Sequence, residues 1–125
     1  MPTKRTKIAL IEDDMAIVQM YRLKFEADGY EVSTASDGVA GLKLIKDFAP
    51  DVALLDLMMP NMSGLEVLAH LRKDPATKNL KVVVLTNMGD AETAEQVYKL
   101  KADDYIIKAE MTPKEVSAKV KKLLG

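Results

Sequence analysis

Four short apolar runs constrain this chain of 125 residues more than any other feature: Lys7 to Ile11, Val52 to Leu57, Lys81 to Leu85 and Asp104 to Ile107. None alternates cleanly between polar and apolar residues, as a half-solvated strand must, so all four read as interior strands covered on both faces. A fifth segment sets Tyr30, Val32 and Thr34 against Glu31, Ser33 and Ala35. That period of two belongs to a half-buried strand and predicts a sheet edge from Tyr30 to Ala35.

Between the strands the period changes. Val18, Tyr21 and Phe25, then Ala40, Leu44, Ile45 and Phe48, fall at helical spacing. Asp14 is placed to cap the first helix and Gly29 to end it. Ser63 with Glu66, and Thr112 with Glu115, have capping-box spacing, and Pro113 takes a first helical position where its missing N–H costs nothing. Helices are therefore expected to start after Ser63 and Thr112. Strand and helix alternate five times with short connections, which predicts one α/β domain over residues 1–125: a parallel sheet with helices on both faces and right-handed crossovers.

Composition narrows the function classes. With 48% hydrophobic residues the chain can bury a substantial core. Its 18 basic and 19 acidic side chains leave a formal charge of -1, without the positive field that nucleic-acid phosphates require. No cysteine is present, so disulfides, thiolate metal sites and thiol nucleophiles are excluded. The opening MPTKRTK has no signal-peptide apolar region, and no stretch is long enough to cross a bilayer. The expectation is a soluble cytoplasmic protein with no direct contact to nucleic acid or membrane.

Ligands of open α/β sheets bind beyond the carboxyl ends of the strands, where the strand order reverses. Polar residues fall at those ends: Glu12 and Asp13 after the first strand, Asp56 late in the third, Thr86 closing the fourth and Lys108 closing the fifth. With the order 2-1-3-4-5 the first and third strands are neighbours, about 4.8 Å apart, and Glu12, Asp13 and Asp56 converge. Three adjacent carboxylates raise one another's pKa unless a cation is present, and hard oxygen donors suit Mg²⁺. The Lys108 ammonium can pair with Asp56 or an incoming phosphoryl oxygen, and the Thr86 hydroxyl can donate to that same oxygen.

Plainer roles compete for each of these residues. Acidic residues after a strand cap helices or sit in solvated turns, Thr86 alone could be an ordinary strand threonine, and Lys108 alone a surface lysine. Asp56 resists such a reading, because it interrupts Val52-Ala-Leu-Leu-Asp-Leu-Met-Met, where a carboxylate needs a partner or an exit to solvent.

Taken together, Ile11-Glu12-Asp13-Asp14, Leu55-Asp56-Leu57-Met58-Met59-Pro60-Asn61-Met62-Ser63-Gly64, Leu85-Thr86-Asn87 and Tyr105-Ile106-Ile107-Lys108 resemble the receiver domain of two-component response regulators. The likeness covers essentially the whole chain, and the D-x-x-M-P-x-x-x-G stretch is its most specific part. It implies a flavodoxin-like, doubly wound sheet in the order 2-1-3-4-5. It also implies that Asp56 takes a phosphoryl group from a partner kinase's phosphohistidine, with Glu12, Asp13, Asp56 and the Met58 carbonyl holding Mg²⁺. Thr86 and Tyr105 match the family's switch pair, and the readout is a population shift of the face made by the fourth helix, fifth strand and fifth helix.

The resemblance implies a sensor histidine kinase or phosphotransfer protein as donor, a downstream protein target, and a monomer or phosphorylation-dependent dimer. It implies a phosphoacceptor switch rather than an enzyme. Three positions depart from the common pattern: Ala109 stands where the family usually has a proline after a cis bond, Asn87 where it has a small residue, and Met58 offers no side-chain hydrogen bond to an attacking water. The expected protein is a stand-alone receiver, with a receiver excised from a larger regulator as the alternative. A Mg²⁺-dependent phosphohydrolase is disfavoured by the lack of a D-x-D motif on the first strand, and a non-phosphorylated interaction module by the full set of acidic, hydroxyl and lysine positions. The lysines at 99, 101, 114, 119, 121 and 122 read as a solvated face, His70 as a surface or packing residue, and Met58, Met59 and Met62 as fillers of loop and core gaps.

Overall fold

A computed structural model describes residues 5–87 and 90–125, so the opening MPTK and Met88 lie outside the described residues. Strand and helix alternate as β1 (Lys7–Ile11), α1 (Met15–Ala27), β2 (Glu31–Ala35), α2 (Gly38–Phe48), β3 (Val52–Asp56), α3 (Gly64–Lys73), β4 (Lys81–Thr86), α4 (Ala91–Lys99), β5 (Asp104–Ile107) and α5 (Pro113–Leu124). The sheet is parallel throughout, in the order β2-β1-β3-β4-β5.

Local chemistry sets the helix ends. Asp14 caps α1 by accepting from the Ala16 and Ile17 N–H groups, and beyond its last turn Gly29 sits at φ +96°, where a side chain would be strained. At α5 the full capping box forms between Thr112 and Glu115, with Pro113 first in the helix. Ser63 accepts from the Glu66 N–H at the start of α3.

Alternating side chains of the strands build two cores. Ile8, Leu10, Val52, Leu54, Val83, Leu85 and Ile106 pack under α1 and α5, against Val18, Tyr21, Phe25, Val116 and Val120. Ala9, Ile11, Ala53, Leu55, Val82 and Val84 pack on the other face, under Ile45 of α2, Val67, Leu68 and Leu71 of α3 and Val97 of α4.

Three details differ from the sequence reading. β5 is an edge strand, with only Ile106 fully buried; its Tyr-Ile-Ile run mimics an interior strand, but among the described residues no strand pairs beyond it. β2 starts at Glu31 because the Tyr30 N–H closes the turn after α1 by donating to the Phe25 carbonyl. β3 ends at Asp56, so Leu57 already belongs to the following loop. No helix among the described residues is long and apolar enough to cross a membrane.

Gly64 ties the fold to the sheet edge. A Cβ added there would meet the Asp56 carbonyl oxygen at 2.2 Å and the Leu57 Cα at 2.7 Å, both backbone atoms that cannot swing away. Gly64→Ala is therefore expected to destabilise the protein by about 1–3 kcal/mol, the usual range for overpacking. Urea unfolding followed by far-UV circular dichroism should show a lower midpoint at unchanged slope.

Candidate functional site

Ile11 pairs with Leu55 across β1 and β3, so the next residues, Glu12 and Asp56, leave the sheet side by side. The Glu12 N–H extends the β1–β2 ladder by donating to the Ala35 carbonyl at 3.0 Å. One carboxylate oxygen from each of Glu12, Asp13 and Asp56 lies within 4.8 Å of the others. Glu12 and Asp56 are buried, at 1% and 4% exposure, whereas Asp13 faces solvent.

Lys108 reaches this cluster from the β5 edge of the sheet. Its ammonium hydrogen-bonds the Glu12 carboxylate and lies 3.3 Å from Asp56 Oδ1. Sequence reasoning paired Lys108 with Asp56 or an incoming phosphoryl oxygen; the structure adds Glu12 as its closer partner. Glu12 carries one more methylene than an aspartate and is buried, so its carboxylate leaves the Lys108 ammonium shielded from water with it.

Burial pushes the Glu12 carboxyl up to about 7, against the opposing pull of Lys108, and the neighbouring Asp56 adds to the rise. Burial alone would lower the Lys108 ammonium, but the hydrogen bond from it to Glu12 and the charge of Asp56 outweigh that and hold it above its ordinary value. One ammonium thus serves two desolvated carboxylates. The donor set fits a hard divalent cation: clustered carboxylate oxygens, one of them on exposed Asp13, leave a side open to water.

The loop after β3 folds back on the Asp56 carboxylate. The Met58 N–H donates to Asp56 Oδ1 at 3.3 Å, and the Gly64 N–H donates to the Leu57 carbonyl at 3.0 Å. Asn61 turns the loop at φ 68°, a left-handed conformation that asparagine tolerates better than most residues. Met58 does not fill a gap, as its sequence context suggested. It is 76% exposed, while its backbone N–H is held on Asp56. Met59 and Met62 do pack against the core under α2, α3 and α4.

Thr86 and Tyr105 belong to the opposite face. Thr86 is buried and continues the alternation of Val82 and Val84, and Tyr105 packs against that same core. The Tyr105 ring meets the half-exposed Tyr98 of α4 edge-on, with centroids 6.3 Å apart. Asn87, next after Thr86, is exposed. No peptide bond among the described residues is cis, so Lys108–Ala109 is trans, and Lys108 opens a short 3-10 turn to Glu110 instead of closing β5. His70 is exposed on α3, and the lysines at 114, 119, 121 and 122 are exposed on α5, where Lys119 pairs with Asp104 at 3.2 Å.

Sequence reasoning missed two neighbours of the site. Gly64 was quoted only as the end of a motif, although glycine eight residues after a strand-end aspartate is the available signal for close backbone approach. Tyr21 read as a core position; it is buried, yet near enough to Lys108 and Glu12 to feel their charge.

Known proteins share this fold. Residues 8–121 match the family model described as the response regulator receiver domain. The phosphate regulon transcriptional regulatory protein PhoB of Rhizobium meliloti is 36% identical over 118 residues, which are 94% of this chain and 52% of that protein. The chain therefore spans about half the length of such curated relatives. A CheY-like response regulator receiver domain protein from Methanospirillum hungatei superposes with a TM-score of 0.90 at 29% identity, covering 97% of this chain and 94% of that one. The phosphorylated cyanobacterial phytochrome response regulator RcpA superposes at 0.76 with 31% identity, covering 82% and 80%. An acidic strand-end cluster on a 2-1-3-4-5 sheet, matched over nearly its full length, places this chain in the family of response regulator receiver domains of two-component systems.

Proposed function

We propose that residues 1–125 form one receiver domain in which Asp56 accepts a phosphoryl group from a phosphohistidine of a sensor kinase or phosphotransfer protein. The observation that carries this reading is the burial of Asp56 in contact with Lys108 and with the Met58 N–H, beside Glu12 and Asp13. An Asp56 oxygen attacks phosphorus, the P–O bond forms as the P–N bond breaks, and the departing imidazole nitrogen keeps the electron pair. Lys108 is positioned to neutralise charge on the transferred group and on Asp56.

Glu12, Asp13, Asp56 and the Met58 carbonyl would hold Mg²⁺, which supplies positive charge against the phosphoryl oxygens when bound. Thr86 and Tyr105 are the proposed switch: the hydroxyl moves toward the phosphoryl group, and the ring changes its packing beside α4. The altered surface of α4, β5 and α5 then docks a downstream protein or passes the group on. The charge of -1 gives these residues no field for direct nucleic-acid binding, and a sequence without cysteine suits the reducing cytoplasm.

Incubation with acetyl phosphate and Mg²⁺ should add one phosphoryl group by intact mass, and Asp56→Asn should lose it. Continuous turnover of the donor would instead favour a phosphohydrolase, and absence of any adduct an inert interaction module. Mg²⁺ alone should raise the melting temperature, since saturation at a hundredfold over the Kd is worth about 2.7 kcal/mol. Asp13→Asn should abolish most of that shift, measured by differential scanning calorimetry; an undiminished shift would place the metal elsewhere. Met58→Asn offers water a hydrogen bond and Asn87→Ala opens space, so both should shorten the phosphorylated lifetime; unchanged hydrolysis in both would exclude these positions as its determinants.

A further inference from the structure

Met58 is the thioether most open to solvent among the described residues, at 76% exposure against 59% for Met15 and 43% for Met20. Met59, Met62 and Met111 are half-buried. The chain has neither cysteine nor tryptophan, so two-electron oxidants find their soft targets among these sulfurs. Met58 also differs from Met15 and Met20 in placement, because its own backbone N–H touches Asp56 Oδ1 at 3.3 Å.

We propose that Met58 is an oxidation site for hydroperoxides and that its sulfoxide shortens the phosphorylated lifetime of Asp56; the second half rests on the phosphoacceptor reading above. The Met58 sulfur lone pair attacks one peroxide oxygen, the S–O bond forms and the O–O bond breaks. The second oxygen leaves as water after a proton shift. Sulfur is oxidised by two electrons and the peroxide is reduced by two, so hydrogen peroxide itself completes the balance.

The product changes what the rim of the site offers to water. A thioether is a weak acceptor, whereas the sulfoxide oxygen is a polar acceptor on the same flexible side chain. Carried on the residue after Leu57, it can take a hydrogen bond from a water approaching the phosphorus of phosphorylated Asp56. Hydrolysis of the acyl phosphate then speeds up, and reduction by a methionine sulfoxide reductase restores the slow rate.

The test uses the full chain. Limiting hydrogen peroxide followed by peptide mass mapping should place the first added oxygen on Met58, ahead of Met59, Met62 and Met111; oxidation of the half-buried methionines at equal rate overturns the site. Oxidised and untreated proteins are then phosphorylated with acetyl phosphate and Mg²⁺, and decay of the adduct is followed by intact mass. A several-fold shorter lifetime after peroxide is expected for the native chain, reversed by the reductase, with no change in Met58→Leu compared with itself before and after treatment. Met58→Gln, which carries a permanent acceptor, should be short-lived without peroxide. A phosphorylated, oxidised protein of unaltered lifetime overturns the control by Met58 alone. No adduct in any sample overturns the Asp56 reading, and the control by Met58 with it.

Discussion

A single ammonium held between two buried carboxylates fixes the upper edge of this sheet. The side chains of Lys108, Glu12 and Asp56 are 7%, 1% and 5% exposed, so each charge has given up most of its water. Withdrawing an ion from water costs several kcal/mol even after relaxation, and removing one partner of a buried pair typically costs about 3–5 kcal/mol. The cluster therefore survives only if the strands keep their order. Glu12 and Lys108 are 96 residues apart in sequence and meet because β1, β3, β4 and β5 stack in register between them. The hydrophobic strands supply the framework, and the charges penalise any framework in which they would be stranded.

The two-sided sheet also divides labour. Glu12, Asp56 and Lys108 continue the alternation of Leu10, Leu54 and Ile106, the face covered by α1 and α5. Thr86 and Tyr105 belong to the face covered by α2, α3 and α4. Acid chemistry and proposed switch thus lie on opposite sides of one sheet edge, a residue or two apart in register. The main chain joins them: Asp56 pairs with Leu85, the residue before Thr86, and the Leu57 N–H donates to the Leu85 carbonyl at 3.2 Å. In the proposed switch, a change of charge at Asp56 would act at the junction of both cores, from which it could bias Thr86 and Tyr105 on the other face.

Much of this was legible because the signals were local or periodic. Asp56 announced itself by breaking an apolar run, the strand periods gave the sheet, and the Thr112 and Glu115 spacing gave the start of α5. What escaped depended on tertiary placement. The Tyr-Ile-Ile run of β5 looks the same whether or not a sixth strand pairs with it, so its position at the edge had no local signature. Met58 follows an apolar strand and reads as core until the backbone bond to Asp56 is seen to hold it outside. The contact of Lys108 with Glu12 as well as Asp56 joins residues 96 apart in sequence, which no spacing encodes.

The asymmetry between adjacent Glu12 and Asp13 follows from the pleat and has a chemical consequence. Consecutive residues leaving a strand point to opposite sides, so burying Glu12 beside Lys108 turns Asp13 toward solvent. Burial holds the Glu12 carboxyl near 7, whereas exposed Asp13 keeps its hydration. In the proposed metal site, Asp13 would offer a solvent-facing oxygen and Glu12 a buried one. Were both buried, the desolvation cost would fall on every ligand at once; with Asp13 exposed, only Glu12 and Asp56 bear it, and Lys108 offsets both.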